Sequence, residues 1–363
     1  MSTSRWVVVD DTDSAITYSG PWIADKGTLD TNGNFGAPYL STSHGTNSTA
    51  SFTYKFSGTR VLITGSLQFS NPTGATTWQC FVDNQSFPSN AYTVPENNLN
   101  LCEQDTLTDG PHTLMVNVAV TNGQTFWLDY IKFLPSANAS LDTAAIAVDS
   151  TDPALLFDSG WSQFAPGFQT GKAGSKLSFS FTGISVIYYG FYDPSLPFDT
   201  TTHTAAYSID GQTPVPFTVQ VDAGSQTSKP SGVQYNQVLF TTGNLTAGPH
   251  ILEVTYLGTP QTTPLTYEFL VIQNGTSSVV SSTTPAVTSG ASTTPLPSDP
   301  STFTLPGGTS TFFTTVDPSS TESSPTTTTT SAALSVYQSN MVSMFTLIIF
   351  VLYFLSGRNL RSH

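Results

Sequence analysis

Charge is what this chain has least of: of 363 residues only 9% are Asp, Glu, Lys or Arg, against roughly a quarter in an ordinary soluble protein. The 10 Lys+Arg face 24 Asp+Glu, a net charge of −14. No basic cluster occurs, which excludes the phosphate-neutralising surface that a nucleic acid requires. Cysteine is nearly absent too. Cys80 and Cys102 stand alone, outside any C-x-x-C, and a pair cannot build a four-ligand zinc site. Catalytic signatures are missing as well: no G-x-S-x-G, no H-E-x-x-H, no P-loop and no G-x-G-x-x-G opening a helix. Glu is scarce, so the two carboxylates of a glycosidase are not legible. A non-catalytic protein is the expectation. The start, MSTSRWVVVDDTDS, has no apolar h-region of a signal peptide. Either the chain given lacks its leader, or a C-terminal segment directs insertion, in the limit as a tail anchor that leaves only the short tail lumenal.

What fills the sequence instead is Thr, Ser, Asn and Gly, a surface of hydroxyls and amides that suits an extracellular or glycosylated protein. Sequons stand at Asn47, Asn84, Asn138, Asn244 and Asn274. An oxidising compartment would let Cys80 and Cys102 pair, closing a loop worth roughly 3 kcal/mol; two separate buried thiols are the alternative. From about Thr276 to Ser331 the chain is Ser, Thr and Pro, too poor in apolar groups to offset chain entropy. This composition predicts an extended O-glycosylated stalk, or a plain disordered linker of the same reach. Beyond it, MVSMFTLIIFVLYFL (341–355) carries no charge. Extended back to Leu334 it is long enough to cross a bilayer as a helix, and Arg358 and Arg361 place the far end in the cytosol. A glycolipid-anchor signal, with Ser331-Ala332-Ala333 as attachment site, is the rival reading.

The remaining sequence is written twice. VVVDDTDSAITYSGPW (7–22) matches IAVDSTDPALLFDSGW (146–161), and FTYKFSGTRVLITG (52–65) matches LSFSFTGISVIYYG (177–190). LTDGPHTLMV (107–116) matches LTAGPHILEV (245–254), and FWLDYIKF (126–133) matches LTYEFLVI (265–272), which sets Asp129 opposite Glu268. The cysteines have no counterparts; Tyr207 and Phe240 occupy the aligned positions. Alternating apolar and polar residues in SFTYKFSG, HTLMVNVAV and KLSFSFTG, punctuated by Gly, Asn, Asp and Pro, predict many short strands in a sandwich or barrel. His112 and His250 each follow Gly-Pro, a shared placement expected of a structural turn.

The order of these motifs, an Asp-rich first strand, F-x-G-x-x-V/I, a turn with Asp before Asn or Gly, L-x-x-G-P-H and a closing W-L-D-Y-I-K-F, resembles galactose-binding-like, jelly-roll carbohydrate-binding modules. The whole layout resembles surface proteins of mushroom-forming fungi. The resemblance implies an all-β chain with two tandem jelly-roll β-sandwich domains (1–135 and 143–273). A disordered Ser/Thr-rich stalk (276–333), a single transmembrane helix (334–356) and a short basic cytoplasmic tail (357–363) complete it. It implies glycan partners, met by aromatic rings stacking on sugars, with Trp22, Phe35, Tyr39, Trp78, Trp161, Phe168 and Tyr192 as candidates and Phe164 and Phe198 beside them. Packing is the competing role for Trp22 and Trp161, which share a repeat position. It also implies structural calcium between first and last strands, held by Asp10, Asp11, Asp13 and Asp129. Asp149, Asp152 and Glu268 are the second repeat's weaker equivalents, and turn-forming Asp is the alternative. The expected protein is thus a single-pass surface protein binding cell-wall or environmental glycans, or else an adhesive spacer without a small ligand, with a glycoside hydrolase-like enzyme as the third reading. Oligomeric state is not legible.

Overall fold

The computed structural model describes residues 5–68, 75–121, 123–199, 204–219 and 229–275. The stalk, the apolar segment and the basic tail lie outside the described residues, among which no helix is long and apolar enough to cross a membrane. The described chain is all β, without an α-helix. Alternation in the sequence becomes alternation in burial: Lys176–Gly183 buries every second side chain, Leu177, Phe179 and Phe181 among them. Two apolar cores result. One is built around Phe52, Ile63, Leu101, Leu114, Val116 and Phe126, the other around Phe179, Tyr188, Leu252, Val254, Tyr256 and Tyr267.

Each core is enclosed by sheet layers, and the chain passes between layers at a glycine. Ala50–Gln68 pairs through its first half with Gly110–Thr121 and through its second with Thr125–Pro135. At the crossing, a Cβ on Gly58 would lie 2.1 Å from the Leu134 carbonyl oxygen. In the second body the same passage is split into Lys176–Gly183 and Ser185–Tyr192, and a Cβ on Gly183 would lie 2.7 Å from the Gln273 carbonyl oxygen. The glycine of the F-x-G motif is therefore required by close backbone approach.

The two bodies are joined edge to edge. Trp6–Asp10 pairs with Thr125–Pro135 of its own body and, on its other side, with Ala145–Asp149 of the second: Val7 opposes Ile146 and Val8 opposes Ala145. One sheet of 14 strands therefore runs through both, so the bodies are not hinged beads. On its outer face Val8, Tyr39, Ala145, Tyr189 and Val271 form a further apolar cluster that both bodies share.

Cys80, on Ala75–Val82, and Cys102, on Glu96–Gln104, are joined by a disulfide. The aligned Tyr207 and Phe240 stack with ring centroids 4.3 Å apart and 11° between planes. The covalent tie of one core is a ring stack in the other. Replacing Cys80 and Cys102 by serine is expected to cost about 2–4 kcal/mol of unfolding free energy, read as a lower urea midpoint.

Candidate functional site

A cleft of about 750 Å³ runs between the bodies. That volume exceeds the clefts beside His250 (about 620 Å³) and beside Leu196 (about 600 Å³), and sits within the range of small-ligand sites. Its floor is Ile187 and Tyr189; one wall is Gln234, Asn236, Gln237 and Val238 of the strand Gln234–Thr241. The opposite wall is a strap from the first body, residues 27–41, that crosses the seam.

The strap is held by side-chain amides and one buried acid. Glu96, 6% exposed, accepts the backbone N–H groups of Asn34 and Phe35 at 2.8 and 2.9 Å. Asn97 donates to the carbonyls of Leu29 and Gly36, and Asn98 to those of Phe35 and Ala37. From the second body Asn236 donates to the Phe35 carbonyl at 2.7 Å, Tyr235 N–H to the Asn34 carbonyl at 2.9 Å, and the Phe35 and Tyr235 rings meet edge-on at 5.2 Å. Gly33 and Gly36 have φ of +76° and +80°; a Cβ on Gly36 would lie 2.7 Å from the Asn236 carbonyl oxygen. Backbone and space both demand glycine there. Gly36→Ala is expected to destabilise by about 1–3 kcal/mol and to speed proteolysis of the strap under native conditions. Glu96, Asn97, Asn98 and Asn236 carry no motif that marks them in the sequence. The available signal was the run of polar residues Glu96-Asn97-Asn98 opening an otherwise alternating strand.

Glu268 sits behind the groove, accepting Asn236 N–H at 2.7 Å, and burial pushes its carboxyl up to about 7. Lys132, held down by burial, is the positive group whose charge faces it.

The aromatic candidates do not form this site. Trp78 and Trp161 are each 8% exposed and belong to the cores. Trp22 packs on the first core and donates to the carbonyls of Ser19 and Ser51. Tyr39 is buried against Tyr130, Phe168 stacks on Phe157 at 4.3 Å, and Tyr192 is 1% exposed. Phe35 is consumed by the strap contact with Tyr235. Among the described residues every Trp, Tyr and Phe is buried or half-buried, Trp22, Phe35 and Phe168 being half-buried. The reason is physical: each ring gains more by packing than a solvated loop position offers.

The acidic candidates are likewise spoken for. Asp10 accepts from Thr12 and Thr42, and Asp13 from the Ala15 N–H in an exposed turn. Asp11 contacts His44 Nδ1 at 2.6 Å, and Asp129 accepts Tyr39 N–H at 2.8 Å. Asp11 Oδ1 and Asp129 Oδ2 remain buried without a donor. Two oxygens fall short of the six to eight that calcium takes, and no group of three or more His, Cys, Asp or Glu is gathered for a metal among the described residues. The residues present do not fit the ion. Burial, with the charge of Asp10 adding, instead pushes Asp11 up to about 6, and burial lifts Asp129 well above the carboxylate range. In the second body Asp152 pairs with Arg5 at 2.7 Å and Asp149 caps Thr151, so these do not converge on Glu268 either. Chelation by EDTA is expected to leave the melting temperature unchanged.

The two histidines build equal turns. His112 places Nδ1 at 2.7 Å from Asp83 and Nε2 at 2.7 Å from the Thr108 carbonyl; His250 does the same with Asp210 and the Thr246 carbonyl. Two acceptors call for two N–H groups, the protonated ring. Of the sequons, Asn47, Asn84, Asn138 and Asn244 are exposed, whereas Asn274 donates its side-chain amide to the Leu141 carbonyl at 2.7 Å. Glycopeptide mass spectrometry on secreted chain is expected to find the first four occupied and Asn274 bare.

No family model and no curated protein matches this chain. Among solved structures, it is similar to a two-domain esterase active on acetylated mannans (14% identity, TM-score 0.29, covering 40% of this chain and 40% of that one). It is also similar to a Paenibacillus xanthan lyase (11%, TM-score 0.26, 74% and 26%). A third is a tandem CBM22 pair from Paenibacillus barcinonensis Xyn10C (12%, TM-score 0.22, 75% and 90%). The chain spans about 40% of the length of the esterase. Identities this low and TM-scores below 0.3 decide nothing about ligand or chemistry.

Proposed function

We propose that this chain is a non-catalytic, membrane-anchored surface protein that binds glycan chains in the groove between its two bodies. The observation that carries the reading is the lining of that groove: the hydroxyl of Thr241 and the side chains of Gln234 and Asn236, whose amides also donate to the Gly232 and Phe35 carbonyls, beside the apolar surfaces of Ile187, Val238 and Tyr189. A pyranose offers the same alternation, a rim of hydroxyls around C–H faces. Extracellular display by the stalk and the apolar segment belongs to the same proposal, as does the assignment to a fungal surface.

The test is a glycan array probed with the full chain in a detergent that carries no sugar headgroup. Val238 is 52% exposed, so Val238→Arg fills the groove without touching a core. Retention on a polysaccharide, lost at least about 10-fold in Val238→Arg, is the expected result. Retention unaffected by that variant would place binding elsewhere. No retention by folded protein would favour the adhesive spacer, a reading that the burial of Tyr39, Trp78, Trp161 and Tyr192 supports.

A further inference from the structure

We propose that Lys132 and Asn236 form an intramolecular cross-link, in which the lysine amine displaces ammonia from the asparagine carboxamide and ties the two bodies by an amide bond. This modification is independent of the glycan reading. Its setting is a cavity of about 20 Å³, lined by Lys132 and Asn98 of the first body and Asn236 of the second, amid Tyr39, Tyr130 and Tyr189. That space has room for about one water, so no sugar or organic anion fits there to pair the amine. Lys132 is the odd residue of this lining. At the matching position the second repeat carries Val271, which faces the same cavity, so the fold itself needs no amine there. Among the described residues Lys132 Nζ donates no hydrogen bond and joins no ion pair; its near contact is the Tyr130 ring, 5.4 Å from the centroid. A partly desolvated ammonium without a partner is costly. As an amide nitrogen it carries no charge, and that cost disappears.

The groups that the reaction needs are gathered here. Burial holds the Lys132 amine below its ordinary range and pushes the Glu268 carboxyl up to about 7, and each acts on the other's charge. Both shifts favour the neutral pair, a free amine as nucleophile and a protonated acid as proton donor. Asn236 supplies the electrophile. Its backbone N–H donates to Glu268 at 2.7 Å, which sets the acid beside that residue, and its side-chain amide makes one bond, to the Phe35 carbonyl. The Asn98 amide is held instead by three carbonyls, of Phe35, Gly36 and Ala37. Lys132 Nζ attacks Asn236 Cγ, the Cγ–Nδ2 bond breaks, and the proton that Nζ gives up passes through the Glu268 carboxyl to the departing nitrogen. One amine and one carboxamide give one secondary amide and ammonia, with no oxidant, nucleotide or metal in the balance. The fold supplies the encounter by holding the reactants on one cavity.

The experiment is peptide mapping by mass spectrometry on the full, folded chain, denatured and proteolysed. The peptides bearing Lys132 and Asn236 are expected joined, lighter than their sum by one ammonia. Lys132→Met, which keeps the length of the stem, should abolish the joined species. Glu268→Gln, which keeps an acceptor for the Asn236 N–H, should slow its formation by about 100-fold, the scale of a lost general acid, read as linked fraction against time after synthesis. Recovery of both peptides unjoined from folded wild type overturns the proposal, a result that requires no variant to fold. Lys132 joined to Asn98, or to Glu268 with loss of water, overturns the assignment of Asn236 as acceptor. Formation at the wild-type rate in Glu268→Gln overturns the role of the acid.

Discussion

Cutting Phe240 back to alanine will cost about 3–5 kcal/mol, the usual loss for a large aromatic in a packed core. Phe240 is 7% exposed and touches three rings, Tyr207 at 4.3 Å, Phe217 at 4.8 Å and Tyr188 at 5.1 Å between centroids. Removing the ring from this stack leaves a cavity, whose cost adds to the transfer cost. The loss should equal or exceed that from removing the disulfide, although the disulfide is covalent. Urea denaturation followed by tryptophan fluorescence measures both. Because one sheet runs through both bodies, each lesion should shift a single transition. Two separated transitions, or a loss under about 1 kcal/mol for Phe240→Ala, would show that the second core does not depend on this stack.

Stability should be highest in mild acid and decline from about pH 5 to pH 8. Glu268 titrates near 4.5 when unfolded and at about 7 in the fold. Between those values the folded state holds a proton that the unfolded state has released, so raising the pH favours unfolding. A shift of this size corresponds to roughly 3 kcal/mol. His112 and His250 act in the same sense. Burial works against protonation of His112, but the hydrogen bonds to Asp83 and to the Thr108 carbonyl raise it overall; for His250 the bond to Asp210 leads. Their contribution is complete below the unfolded histidine range and is lost as pH rises through the folded one. Asp11 and Asp129, raised by burial, add to the trend. Asp83 and Asp210, lowered by their histidine bonds, contribute above the unfolded carboxylate range and lose that contribution in stronger acid, which sets the lower limit. The check is melting temperature across pH for the wild type and for Glu268→Gln, which keeps the acceptor for Asn236. The variant should show a flatter profile; a wild-type profile that is already flat, or that rises toward pH 8, sinks the account.

How much of this was legible depended on the range of the interaction. Strands announce themselves through neighbours two residues apart, and SFTYKFSG and KLSFSFTG fold as their alternation predicts. Gly58 and Gly183 were readable because one backbone crossing imposes the same demand in both places. The placement of Tyr207 and Phe240 opposite the cysteines followed from alignment alone. The groove was not legible. Phe35 and Tyr39 look like free loop aromatics until the strap folds across a seam whose other side is some 200 residues away, where Tyr235 and Asn236 wait. The acidic residues misled for a related reason: nothing in the spacing of Asp10, Asp11 and Asp13 reveals that Thr42 and His44 reach them first.

The strand Phe269–Gln273 is flanked by Ala145–Asp149 on one side and Ser185–Tyr192 on the other, antiparallel to both. A tension applied to the chain beyond it and directed along its axis loads the hydrogen bonds of two ladders together, in shear, so none can fail before the rest. Ala145–Asp149 passes that load to Trp6–Asp10 and on to Thr125–Pro135. The seam between the bodies is therefore also a load path. A tug on one end of the described chain is borne by both cores at once.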